Sequence, residues 1–150
     1  MSFDFLLKDL NNNLTQKSIG TDKGLAKIGD SIVNLTYSVA KSIVLTRNSK
    51  TNKIIRTGMK VSKTILANAL KKADMKKFSK SRADAHDLAD TVEALIAYIW
   101  FIEKMTIEDI INILVDSLKE NLIVRSEEIK NATVAFTNLL IHIKKYLPES

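Results

Sequence analysis

The sequence contains no cysteine. That excludes a disulfide framework, a zinc–thiolate centre and a cysteine nucleophile. It has one proline, Pro148, and only four glycines, Gly20, Gly24, Gly29 and Gly58. No segment alternates apolar and polar residues between hairpin turns, so strands are not expected. A phosphate-binding glycine loop, a nucleophile elbow and an HExxH pair are all missing. The two histidines, His86 and His142, stand far apart and read as surface or packing residues. The longest apolar run, Ala94 to Ile102, is nine residues, whereas a bilayer span needs about 20. The N-terminus lacks a basic region followed by an apolar stretch, so no signal peptide is expected. These absences predict a cytoplasmic protein with no membrane partner.

What is present is a chain of 150 residues, 45% hydrophobic and 27% charged. That length suits one domain, 1–150, with a core of its own. The net charge of +6 is unevenly spread. Residues 41–82 carry thirteen Lys or Arg against a single acid, Asp74. A block of one sign points to a polyanion, either nucleic acid or an anionic surface, or else to a solvated lysine-rich loop.

The periodicity is helical nearly throughout. Phe3, Leu6, Leu7, Leu10 and Leu14 fit a short amphipathic helix, and residues 18–24 read as a glycine-containing connection. Ile28, Ile32, Leu35, Val39 and Ile43 keep helical spacing over about residues 25–45. Residues 46–60 read as a basic loop, followed by a helix carrying Val61, Ile65, Leu66, Ala69 and Leu70, with Ser62 near its start. Residues 74–82 form a lysine-rich connection. A helix over about 83–103 is apolar on every face from Ala94 to Ile102, so it lies in the core or partly in a subunit interface. Trp100 and Phe101 read as packing residues. Thr106 and Asp109 resemble a capping box, and Ser126 reads as the cap of a last helix ending near Tyr146. The expected fold class is all-α.

Against this apolar background three carboxylates stand out. Asp90 and Glu93 are three apart on one helix, so they can share a ligand. Asp30 follows Gly29 in an apolar stretch. A helical glycine costs roughly 1 kcal/mol against alanine, and the missing side chain lets another backbone approach. Buried carboxylates repel one another unless a cation meets them, and a divalent ion with oxygen ligands is the usual solution. Solvated acids are the plainer alternative. Asp84 suits a helix N-terminus, and Asp87 suits either that role or support of the site.

These residues carry a resemblance. Ile28-Gly29-Asp30-Ser31, Val61-Ser62-Lys63-Thr64-Ile65-Leu66-Ala67 and Ala89-Asp90-Thr91-Val92-Glu93-Ala94-Leu95-Ile96 match, in order, motifs of the ribonuclease III family. The chain resembles its short archaeal and mini-III-like forms, which lack a double-stranded-RNA-binding domain. The resemblance covers roughly residues 20–120. It implies the all-helical endonuclease fold, a homodimer, and hydrolysis of phosphodiester bonds in double-stranded or structured RNA, as in RNA processing. It also implies that Asp30, Asp90 and Glu93 are catalytic and ligate magnesium, with manganese as a possible substitute. Lys27, Arg47, Lys50, Lys53, Arg56, Lys60 and Lys63 would then contact RNA.

The chain departs from the family pattern at two positions. Lys23 and Ala26 stand where the family signature usually has glutamates. A lysine there suggests a second reading, a weak or inactive relative that binds structured RNA and uses an ammonium in place of a metal. A third reading is a helical bundle whose acids are only solvated.

Overall fold

The computed structural model describes residues 2–118 and 121–150, and among them it contains helices and no strand. The chain is all-α. After a 3₁₀ turn (Asp4–Leu7) come α1 (Lys8–Asn11), α2 (Gln16–Gly20), α3 (Lys23–Arg47) and α4 (Lys63–Lys72). A second 3₁₀ turn (Lys76–Phe78) precedes α5 (Ala85–Phe101), α6 (Ile107–Ser117) and α7 (Arg125–Ile143), and a third (Lys144–Tyr146) closes the series. No helix among the described residues is long and apolar enough to cross a membrane.

The architecture is organised by α5. Its residues from Leu88 to Phe101 are buried except Asp90 and Trp100, as expected for a segment apolar on all faces. Helices α3 and α4 pack directly on it, α7 lies beyond α4, and α6 bridges α3 and α7. Ala89, Ala94 and Ala97 are fully buried, and their small side chains let neighbouring helices come close. Helix starts follow side-chain chemistry. Asp22 and Ser62 cap α3 and α4 through the N–H groups of Leu25 and Ile65. Asp84 and Thr106 form capping boxes with Asp87 and Asp109, each satisfying donors that a helix N-terminus leaves free.

Several details differ from the sequence reading. Residues 18–24 are not a connection. Thr15 and Ser18 form a capping box that starts α2, and Gly20 is a packing residue. A Cβ there would lie 2.0 Å from the Phe78 carbonyl oxygen. The N-terminal segment buries only Leu7; Phe3, Leu6 and Leu14 remain exposed. Ser126 is not the cap of α7, which begins one residue earlier at Arg125, with Val124 in the cap position and no side-chain cap.

One charged group is buried in the frame. Glu128 of α7 accepts hydrogen bonds from Tyr37 Oη at 2.9 Å and Arg125 Nη1 at 3.2 Å, and pairs with Lys41 Nζ at 2.7 Å. Burial alone would raise its pKa, but the bonds from Lys41 and Tyr37 and the positive charges outweigh that and hold it low. This satisfied cluster locks α7 to α3.

Candidate active site

The site begins at one helix crossing. A Cβ on Gly29 would stand 1.8 Å from the Glu93 carbonyl oxygen and 2.4 Å from its carbonyl carbon. The backbones of α3 and α5 therefore touch at Gly29, which is the close approach anticipated from its place in an apolar helix. Asp30 is the next residue on α3, and Glu93 is the contact itself. Asp90 lies one turn earlier on α5. All three carboxylates line one cavity of about 380 Å³, together with Lys23, Lys27, Lys60 and Lys63.

The carboxylates are not equivalent. Glu93 is 7% exposed. Burial, then the Asp30 carboxyl at hydrogen-bonding range, then the charges of Asp30 and Asp90 push its pKa up to about 8, against a smaller opposing effect of Lys63. Glu93 thus holds its proton more tightly than an ordinary carboxyl. Asp90 turns the other way. Its Oδ2 pairs with Lys23 Nζ at 3.0 Å, and that bond holds the lysine pKa above its ordinary value. Among the described residues no three His, Cys, Asp or Glu side chains stand ready to hold a metal ion. Of the three carboxylates, Asp90 is the one paired with a lysine.

The donor set nevertheless fits a hard divalent ion. All its members are carboxylate oxygens, and burial first, then Asp30 and Asp90, raise the Glu93 pKa by more than Lys63 offsets. The lysine that pairs with Asp90 is largely exposed, its side chain 68% accessible.

Neighbouring groups orient the pair. Asn34, one turn after Asp30, donates from Nδ2 to Asp30 Oδ1 at 3.3 Å and accepts the Val61 N–H at 2.8 Å. Sequence reasoning missed Asn34, although the i,i+4 spacing was a usable signal. It also gave His86 no partner; its Nδ1 lies 2.7 Å from Lys63 Nζ, and residues 23 apart leave no sequence signal for that. Asp87 does not support the carboxylates through a bond. It accepts the Asp84 N–H and pairs with Lys80 at 3.3 Å, and these bonds, the backbone one foremost, hold its pKa below the usual range against a smaller effect of burial.

The basic residues divide into three groups. Lys27, Lys60 and Lys63 line the carboxylate cavity. Arg47 and Arg56 do not; they border a mostly apolar cavity of about 570 Å³ on the far half of α3, with Val39, Ile43 and Ile55. Lys50 and Lys53 are exposed on the chain that follows α3.

The family model described as Ribonuclease III matches residues 23–149. The chain belongs to the ribonuclease III family. Direct comparison with curated proteins gives no significant match. The matched span includes every residue lining the carboxylate cavity. Membership of the ribonuclease III family points to ribonuclease activity on RNA.

Proposed function

We propose that this protein is a divalent-metal-dependent endoribonuclease that cuts double-stranded or structured RNA, working as one domain in a homodimer. The observation that carries the reading is the Gly29–Glu93 backbone contact, which brings Asp30 and Glu93 together on the floor of a lysine-rimmed cavity. Asp30, Asp90 and Glu93 would hold magnesium or manganese. A bound ion of this kind supplies Lewis acidity at the phosphate and lowers the pKa of an attacking water. The chain's own residues do the rest. Asn34 fixes the Asp30 carboxylate, Lys23 holds Asp90 until the third donor is needed, and Lys27, Lys60 and Lys63 attract and position the phosphates. Duplex RNA is recognised through shape, phosphates and 2′-hydroxyls, so little sequence preference follows.

The test is cleavage of a long labelled RNA duplex by purified protein with magnesium, manganese or EDTA, beside Asp30→Asn. We expect metal-dependent fragments from the wild type and a rate at least about a hundredfold lower for the variant, a size in line with removal of one group that acts on transition-state charge. Fragments that persist at the wild-type rate with Asp30→Asn would remove that residue from the mechanism. A second reading is favoured by the Lys23–Asp90 pair: an RNA-binding relative in which an ammonium takes the ion's place. It predicts duplex binding that needs no divalent ion and yields no product in either metal.

The second copy has a surface to dock on. Helix α3 leaves Ile28 and Leu35 exposed, 39% and 53% respectively, with Val39 and Ile43 half-buried on the same stripe. Spacings of seven and four keep these side chains on one face. Leu35→Lys removes apolar contact without touching the core face of α3. It should shift the protein from dimer to monomer in light scattering after size exclusion; an unchanged dimer would clear this face of the role.

A further inference from the structure

The chain between α3 and α4 is not a free loop. Four side chains on α3, spaced by four, hold it from one side. Asn34 Oδ1 accepts the Val61 N–H at 2.8 Å. Ser38 Oγ accepts the Met59 N–H at 3.1 Å and lies 3.4 Å from the Met59 carbonyl oxygen. Ser42 Oγ accepts the Thr57 N–H at 3.0 Å and donates to its carbonyl oxygen at 2.9 Å. Thr46 Oγ1 does the same for Ile55, at 2.9 and 3.1 Å. Four residues of helix rise about 6.0 Å, and two residues of extended chain rise about 6.6 Å. The match is close enough for an antiparallel ladder in which a helix stands in for the partner strand.

An extended chain alternates its backbone groups between two sides. The ladder takes those of Ile55, Thr57, Met59 and Val61. The groups of Arg56, Gly58 and Lys60 point to the opposite edge, and among the described residues none of their N–H groups makes a hydrogen bond. Arg56, Gly58 and Lys60 are exposed. This open edge carries Arg56 and Lys60 and is preceded by Lys53, whose N–H is bonded to Ser49 Oγ at 3.1 Å, with no acid anywhere between Lys41 and Ala73. Its inner end enters the site, since Lys60 and Val61 line the carboxylate cavity and the first rung, Asn34, also holds Asp30.

We propose that residues 53–60 are a rail for the sugar–phosphate backbone of an RNA duplex, set at a fixed distance from the carboxylates by the hydroxyl ladder. Outward N–H groups and the cations of Lys53, Arg56 and Lys60 are all donors, and phosphate oxygens are all acceptors. A second copy pairing antiparallel along this edge is the competing occupant. It would set Arg56 of one chain opposite Lys60 of the other when centred on Gly58, and like charges directly opposite are unfavourable. The rail rests on the reading that the protein binds duplex RNA, and it adds where and how.

The test separates order from charge. Binding of a labelled RNA duplex is measured in EDTA across a salt series for wild type, for Ser42→Ala/Thr46→Val, and for Arg56→Gln/Lys60→Gln. The first variant frees the segment while leaving every cation in place. We expect it to bind about tenfold more weakly at moderate salt. The second should lower the slope of log affinity against log salt by about two. Wild-type binding with both variants unchanged overturns the rail and leaves the ribonuclease reading standing. No binding by the wild type overturns the rail, and the metal-dependent cleavage assay then decides the ribonuclease reading by itself. Unchanged RNA binding with an altered oligomeric state assigns the edge to a second copy and overturns the rail. The Gln variant is confined to exposed side chains, so loss of fold in the hydroxyl variant does not remove the test.

Discussion

Gly29→Ala should be among the most damaging single-methyl changes this protein can suffer, lowering stability by roughly 3 kcal/mol or more. The added Cβ would sit 1.8 Å from the Glu93 carbonyl oxygen and 2.8 Å from its Cα. Both are backbone atoms on the central helix, so no rotamer change relieves the clash and α3 must move off α5. The opposing gain is the helix propensity of alanine over glycine, about 1 kcal/mol, which is smaller. The same movement would part Asp30 from Glu93, so activity should fall together with stability.

Gly24→Ala is the matched control. Gly24 lies in the first turn of the same helix, and a Cβ there would meet only the Asp22 carboxylate oxygen, at 3.3 Å. That oxygen also caps α3 through the Leu25 N–H at 2.8 Å, so it has to give by only a few tenths of an ångström while keeping that bond. The change should stay within about 0.5 kcal/mol of the wild type in either direction. Urea denaturation of the two variants beside the wild type measures the contrast. Equal stability for Gly29→Ala and Gly24→Ala would mean that α3 and α5 do not meet as described.

Much of this arrangement was readable from residue order. The unbroken apolar stretch from Ala94 to Ile102 marked α5 as a helix of the core or of a subunit interface, and the structure makes it the central one. Gly29 in an apolar helix announced a close approach, and Asp90 and Glu93 at i,i+3 announced a shared face. The ladder was not readable in the same way. Asn34, Ser38, Ser42 and Thr46 do form an i,i+4 stripe in the sequence, but small polar side chains on a helix ordinarily face water. Their partners lie 9 to 27 residues away in a segment whose basic composition reads as loop. Extended chain that pairs with a helix leaves no period-two apolar signature, because its inner side is held by backbone bonds and not by side chains. The direction of Asp90 was also hidden. Lys23 is 67 residues distant, and only packing decides whether a lysine in the signature faces solvent or a carboxylate. Glu128 was missed for the same reason, since an acid in α7 looks solvated until Tyr37 and Lys41 are brought against it.

Glu93→Gln should stabilise the metal-free protein at alkaline pH while abolishing metal-linked stabilisation. The sign follows from the proton. Burial, then Asp30, then Asp90 raise the Glu93 pKa to about 8 in the folded state, whereas the unfolded chain releases that proton near 4.5. Between those values the native state binds more protons than the unfolded state, so stability falls as pH rises and levels off above about 8. Allowing for relaxation around the site, the loss is on the order of 3 kcal/mol, or roughly 5–10 °C in melting temperature. Glutamine stays neutral throughout and can still donate to Asp30. Melting curves in EDTA from pH 5 to 9 should therefore run together at the acid end and separate toward pH 9, with Glu93→Gln higher. Magnesium or manganese should raise the wild-type melting temperature more at pH 8.5 than at pH 6, because binding an ion requires the carboxylate that low pH protonates. The variant should respond little at either pH. Parallel melting curves for wild type and variant in EDTA would mean that Glu93 titrates as an ordinary carboxylate, and would remove the raised pKa that supports the metal assignment.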